Sequence, residues 1–306
     1  MKGKLLFGFL LLLFLLTACN SSNENTENEQ LIIYTSIYPI QYVAEEITGD
    51  NATVKSIYPP GVDAHTYEPT SKEITELAKG NAFIYLGAGM ESFAETAADA
   101  LKSQDILFIE IGEHDHLFTE DEHKHDDHGH DHGDHDPHIW LDPLRMIEIG
   151  EIVKDELVTL NPEKEGEYVE NFKALKEDLT TLDEEFTETL ETKENKQLLV
   201  SHAAYGYWEE RYGIEQIPIS GLSSSDEPSQ KDLAEIARLA EKEELNYVIF
   251  EQTGSNRLAS IIQEYIHADK LTIHNLEVLT EDNIAENENY LSLMKKNLEV
   301  LDQATK

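Results

Sequence analysis

Cysteine is almost absent from this 306-residue chain. Its single representative, Cys19, leaves no partner for an intramolecular disulfide and no paired-cysteine zinc or redox site. Cationic side chains are scarce as well: Lys and Arg total 23 against 62 Asp and Glu, a formal net charge of −39. A surface that acidic repels polyanions, which excludes nucleic acid as a partner. The apolar run Leu5–Leu16 holds twelve residues, interrupted only by Gly8, whereas a helix crossing a bilayer takes roughly 20. Hydrophobic residues are nevertheless 40% of the chain, enough for one large domain or two medium lobes. Histidine is the abundant exception, with 13 residues, nine of them between His114 and His138.

The first residues read as a targeting segment, to be set aside before the fold. Lys2 and Lys4 precede the apolar run, which ends in Leu16-Thr17-Ala18-Cys19 and resembles a bacterial lipobox. Residues 1–18 are therefore expected to be a lipoprotein signal peptide, with Cys19 the lipidated first residue of the exported chain. Buried acyl chains contribute about 0.8 kcal/mol per CH₂, so multiple chains, palmitate among them, would anchor the protein in membrane lipid on the outer face of the cell membrane. Residues 19–30 carry no large apolar side chain and read as a flexible tether.

From Leu31 short β-rich runs alternate with helical spacing. LIIYTS (31–36), ATVKSIYP (52–59), AFIYLG (82–87) and ILFIEIG (106–112) read as strands, with helices over 38–49 and near 71–79 and 91–103. QLLVS, IEQIPIS, YVIFEQ and LTIHNLE repeat the scheme in the second half. Such alternation predicts an α/β fold of mainly parallel sheets flanked by helices. Between the halves, Tyr168, Phe172, Leu175, Leu179, Leu182, Phe186 and Leu190 recur every three or four residues. Asn161 and Pro162 supply helix-start signals, so residues 163–193 predict one rod of about 46 Å. A rod that long joins two lobes. The expected organisation is an N-terminal lobe over 31–160, a linking helix over 161–194 and a C-terminal lobe over 195–306.

The histidines divide by context. Residues 113–136, EHDHLFTEDEHKHDDHGHDHGDHD, are too charged for a packed core and are expected to form a disordered loop. His114, His116, His123, His125, His128, His130, His132 and His135 would bind metal there weakly, multiply and exchangeably. A tight site needs ligands on rigid elements, and in open α/β sheets it lies beyond the carboxyl ends of strands. His65 in PPGVDAHTYEP, His138 in DPHIWLDP and His202 directly after QLLVS meet that condition. His267, late in a helical pattern, and His274, within a strand pattern, read as structural.

GVDAHTYEPT, DPHIWLDP and SHAAYGYW resemble, in order, the motifs of the zinc-binding lipoproteins that feed bacterial ABC importers. The resemblance runs from about Leu31 to the C-terminus. It implies two α/β lobes joined by one long helix, with a single metal between them on His65, His138 and His202. Manganese and iron relatives place a carboxylate where His202 stands, which favours zinc. For a fourth ligand the resemblance points to Glu288, an acidic residue before an aromatic-containing helix. The residues alone leave Glu251, ending YVIFEQ, equally reasonable, with Glu277 or water as further choices. Three imidazoles and a carboxylate would give a closed tetrahedral site that binds without catalysing.

The implied function is extracytoplasmic, high-affinity Zn²⁺ capture by a monomer and delivery to a membrane permease with its cytoplasmic ATPase. The histidine-rich loop would recruit or sense the ion. An additional C-terminal zinc-binding domain, present in some relatives, is not expected. Manganese transport, or an adhesin or metal-buffer role, are the alternatives; a hydrolytic zinc centre lacks any HExxH-like motif.

Overall fold

In the first lobe of the computed structural model, β1 (Leu31–Thr35), β2 (Ala52–Ser56), β3 (Ala82–Tyr85) and β4 (Leu107–Glu110) pair in parallel in the order β2-β1-β3-β4. The structure describes residues 30–118, 135–223 and 225–306. The signal segment, Cys19, the tether up to residue 29, and His123, His125, His128, His130 and His132 lie outside them. All four side chains of β3 are buried, as expected of a central parallel strand covered on both faces. Helices α1 (Tyr38–Thr48), α2 (Ser71–Leu77) and α3 (Ala94–Leu101) supply the crossovers.

Two long helices follow, α4 (Pro143–Leu160) and α5 (Glu165–Glu191). The second lobe then repeats the first. β5 (Gln197–Val200), β6 (Glu215–Pro218), β7 (Tyr247–Glu251) and β8 (Asp269–Ile273) form a parallel sheet in the equivalent order β6-β5-β7-β8. Its helices are α6 (Gly206–Tyr212), α7 (Gln230–Lys242), α8 (Arg257–Ile266), α9 (Glu281–Ala285) and α10 (Tyr290–Ala304). In each sheet the first strand has neighbours on both sides, so the chain reverses direction there and opens a crevice beyond the strand ends.

All eight expected strands are present, but the last is shorter than LTIHNLE. It stops at Ile273 because the His274 N–H is taken by Asn297 Oδ1 at 2.8 Å, across 23 residues of sequence. Leu276 then adopts a left-handed φ of 66°, turning Glu277 away from the strand line. The beginning of the charged stretch 113–136 also differs from an unpacked loop. Residues Ile111–Glu113 and Asp115–Leu117 form short 3₁₀ turns, and Leu117 and Phe118 are buried. Those two apolar side chains suffice to anchor the segment, and Arg145 Nε donates to the Leu117 carbonyl at 2.9 Å.

The linking helix α5 has 27 residues after a 3₁₀ turn at Pro162–Lys164, hence about 40 Å of rod. Its buried side chains are the seven of the sequence stripe, Tyr168 through Leu190. They pack on α1 and α4 from one side of the molecule and on α6 and α10 from the other, which makes α5 a shared spine. Gly150 of α4 permits the approach: a Cβ there would stand 3.0 Å from Phe172 Cε2. One continuous core therefore runs through both lobes. The second sheet alternates its faces, Leu198, Val200 and Ile249 joining that core while Leu199, Val248 and Phe250 fill a smaller one beneath α7 and α8. No described helix is long and apolar enough to cross a membrane.

Aromatic hydrogen bonds stitch the lobes. Trp140 Nε1 donates to the Asn275 carbonyl at 2.8 Å, the Tyr290 hydroxyl to the Trp140 carbonyl at 2.7 Å, and Trp208 Nε1 to the Leu141 carbonyl at 2.7 Å. Buried rings with satisfied polar tips combine area burial with a fixed orientation.

Shortening Leu179, fully buried on α5, to alanine is expected to cost about 2–5 kcal/mol in urea unfolding. Val169→Ala, on the exposed side of the same helix, should change stability by less than about 0.5 kcal/mol. Equal effects at both positions would refute the spine assignment.

Candidate metal centre

Four chain segments end at one point in the crevice, and local sequence explains each arrival. His65 lies in the turn after β2, where its N–H donates to Asp63 Oδ1 at 3.0 Å and the Tyr58 hydroxyl holds the Ala64 carbonyl at 3.2 Å. The turn closes with the Thr70/Glu73 capping box of α2. His138 precedes a 3₁₀ turn, Ile139–Leu141, that is fully buried and leads into α4, with Asp142 as its cap and Pro143 at its start. His202 leaves β5 directly, after Ser201 has made one more sheet-like bond to the Ile249 carbonyl at 3.0 Å. Glu277 leaves β8 through the left-handed Leu276, and its carbonyl accepts from the Tyr38 N–H at 2.8 Å.

The donor atoms converge closely. His138 Nε2 is 3.3 Å from both His65 Nε2 and His202 Nε2, and Glu277 Oε1 is 3.4 Å from His65 Nε2 and 4.0 Å from His138 Nε2. One atom from each of the four residues lies within 4.8 Å of the others, the one such group of three or more among the described residues. Four ligands bonded tetrahedrally at 2.0–2.1 Å to one ion stand about 3.3 Å apart, so the spacing fits a small first-row cation. Glu277 Oε1 is buried and accepts no hydrogen bond among the described residues, which leaves a full negative charge aimed at that point.

Carboxylates hold two of the imidazoles from behind. Asp136 Oδ1 lies 2.6 Å from His138 Nδ1 and also accepts the His138 N–H, while the Tyr207 hydroxyl fixes the Asp136 carbonyl at 2.6 Å. Glu251 Oε1 lies 2.6 Å from His202 Nδ1. Both arrangements leave Nε2 facing inward as the donor, the usual way in which a metal-binding imidazole is oriented.

The same carboxylates set the proton affinities. Burial lowers the His138 pKa, against the raising effect of Asp136. Burial also opposes charge on His202, but Glu251 outweighs it and pushes the ring up to about 9. For His65 burial lowers the pKa, and the Glu277 carboxylate more than offsets it. Glu277 itself is raised by burial but held below its usual range by the neighbouring imidazoles, His65 first. A cation binding there near neutral pH would therefore compete with a proton at His202.

Of the candidate ligands named from the sequence, His65, His138 and His202 are brought together. Glu288 is not. It sits before α10, bound by Ser292 and Lys296, whose ammonium and hydroxyl lower its pKa. Glu251 stands behind His202 rather than within the group of four donors. Glu277 supplies the fourth donor of the group, although the family resemblance points to Glu288 and leaves Glu277 among the further choices. The usable signal is the strand-end rule itself, applied one turn earlier. Among the described residues His114, His116 and His135 join no ligand group: His116 Nε2 lies 3.7 Å from Glu148, and His135 stacks on Phe118. His274 is structural, its Nδ1 accepting from the Leu276 N–H at 2.9 Å and its Nε2 3.0 Å from Asn283 Oδ1. His267 caps α8 in a left-handed conformation.

A family model for the zinc-uptake complex component A, periplasmic, matches residues 33–304. Zinc-binding lipoprotein AdcA of Streptococcus pneumoniae is 34% identical across 99% of this chain and 61% of its own length. High-affinity zinc uptake system protein ZnuA of Bacillus subtilis is 30% identical across 94% of this chain and 92% of its own. The crystal structure of Zn(II)-bound AdcA from Streptococcus pneumoniae aligns with a TM-score of 0.76 at 32% identity, covering 90% of this chain and 58% of that one. The chain thus spans about three fifths of the length of AdcA.

Glu277→Gln removes the anionic donor while keeping its shape, and is expected to weaken metal binding at least tenfold, about the smallest loss seen when even an outer-shell partner is removed. Glu288→Gln should leave affinity within about twofold of the parent, since that carboxylate is tied to Lys296. Competition with a chromophoric chelator reads both, and the reverse ranking would reinstate Glu288.

Proposed function

Because the chain belongs to the family of the periplasmic zinc-uptake complex component A, we propose that it captures Zn²⁺ outside the cytoplasm and delivers it to a membrane ABC permease. The observation that carries this reading is the group His65, His138, His202 and Glu277, with neighbouring donor atoms 3.3 to 4.0 Å apart. Three neutral imidazoles and one carboxylate suit a borderline ion such as Zn²⁺ better than harder Mn²⁺, which prefers oxygen. With Zn²⁺ the net charge of ion and ligands is +1. Four protein ligands fill a tetrahedron and leave no position for an activated water, so the site binds cargo and does no chemistry.

Sequence alone supports the remaining parts of this reading. Residues 1–18 direct export, Cys19 anchors the chain in lipid, and 19–30 give it reach from the outer face of the membrane. The chain works as a monomer that docks on the permease, whose cytoplasmic ATPase drives import. The histidine-rich stretch, including His123 to His132, raises the local zinc concentration near the crevice by weak exchangeable binding. The spine α5 disfavours wide opening of the lobes, so release proceeds by local rearrangement or permease contact.

Isothermal titration at pH 7.5 in buffers of different ionisation heat is the test. One tight zinc per chain is expected, releasing close to one proton from His202 as that ring loses its proton to the metal. Manganese should bind more weakly, and His202→Glu should narrow the gap. Deleting 119–134 should remove only weaker equivalents. Manganese binding as tight as zinc, or loss of the tight equivalent with the loop, would overturn the assignment.

A further inference from the structure

Asn275 is buried to 3% exposure at the turn out of β8, the segment that carries Glu277; it bonds directly to the segment of His138 and reaches His202 through Glu251, without reaching the donor group itself. Its Nδ2 donates to Glu251 Oε2 at 3.1 Å, and the other oxygen of that carboxylate lies on His202 Nδ1. Its Oδ1 accepts the Glu277 N–H at 3.3 Å and the Thr253 hydroxyl at 3.3 Å. Its carbonyl accepts Trp140 Nε1 at 2.8 Å, two residues beyond His138.

We infer that Asn275 is the positioning residue of the metal centre, locking His202, Glu277 and His138 into one geometry across the lobe boundary. This rests on the zinc-capture reading.

An amide suits the task because it offers a donor on one side and an acceptor on the other. Glu251 needs both oxygens satisfied: Oε1 already takes the Tyr205 hydroxyl at 2.9 Å and the Ser201 hydroxyl at 3.1 Å, and Oε2 takes Asn275. With both ends held, the carboxylate stays 2.6 Å from His202 Nδ1, which favours one orientation of that ring. The Glu277 N–H, bound to the same side chain, fixes where the strained Leu276 turn delivers its carboxylate. The Trp140 bond then makes the register of the C-terminal ligands depend on the N-terminal lobe.

Two variants separate positioning from folding. Asn275→Asp keeps the shape but sets a second carboxylate against Glu251 Oε2. Asn275→Ser removes the long amide without adding charge. The loss expected for each is about ten- to hundredfold in zinc affinity, the range typical of partners that orient metal ligands. Co²⁺ added in place of zinc should show altered visible absorption bands, because the ligand angles change. Variants with parental affinity and parental cobalt bands would overturn the inference alone. So would weakened binding with unchanged bands and a matching fall in the metal-free melting temperature, which would mark a purely structural role. A parent chain that binds no zinc would overturn the reading beneath it, and the inference with it.

Discussion

Four donor atoms crowded into one buried point constitute the constraint on which the rest of the structure depends. Three imidazole nitrogens and a carboxylate oxygen that accepts no hydrogen bond among the described residues stand 3.3 to 4.0 Å from their neighbours in the group. Burying an unpaired carboxylate costs several kcal/mol unless a positive charge compensates it. Protons can do so only in part, His202 being the ring whose pKa is pushed furthest up, to about 9. A divalent cation satisfies all four donors at once. Strand ends, helix caps and the left-handed Leu276 are arranged to create that need.

Precision in such a site has to be maintained by what surrounds it. Asp136 and Glu251 orient two of the imidazoles, and Glu251 is itself held by Tyr205, Ser201 and Asn275. Because the four donors of the group come from both lobes, the lobes must also keep their relative position. Trp140, Tyr290 and Trp208 do this at the crevice, and α5 does it along its length. A rigid frame suits selective capture, since a soft one would adjust to whichever ion arrived.

Much of this is legible in the residues. The stripe from Tyr168 to Leu190 has a single period over many turns, so α5 can be read almost to its ends. His65, His138 and His202 announce themselves as histidines at the turns following strands or a charged insertion. Glu277 does not, because where β8 ends is decided by Asn297, on a helix far along the chain, and by a backbone conformation rare for leucine. Neither leaves a local pattern. Glu288 is favoured by the family resemblance, which matches an acidic residue before a helix, while its capture by Lys296 is a tertiary feature that no such match reveals. In the same way, the charge around Leu117 and Phe118 masks two residues that pack.

The central claim is that one zinc ion is held by His65, His138, His202 and Glu277. X-ray absorption at the zinc edge, on protein loaded with a single equivalent, tests it most directly. The account predicts four light-atom ligands at about 2.0–2.1 Å, with the outer-shell scattering of three imidazoles and no sulfur. A six-coordinate oxygen-rich shell, or a spectrum with fewer than three imidazoles, would contradict it.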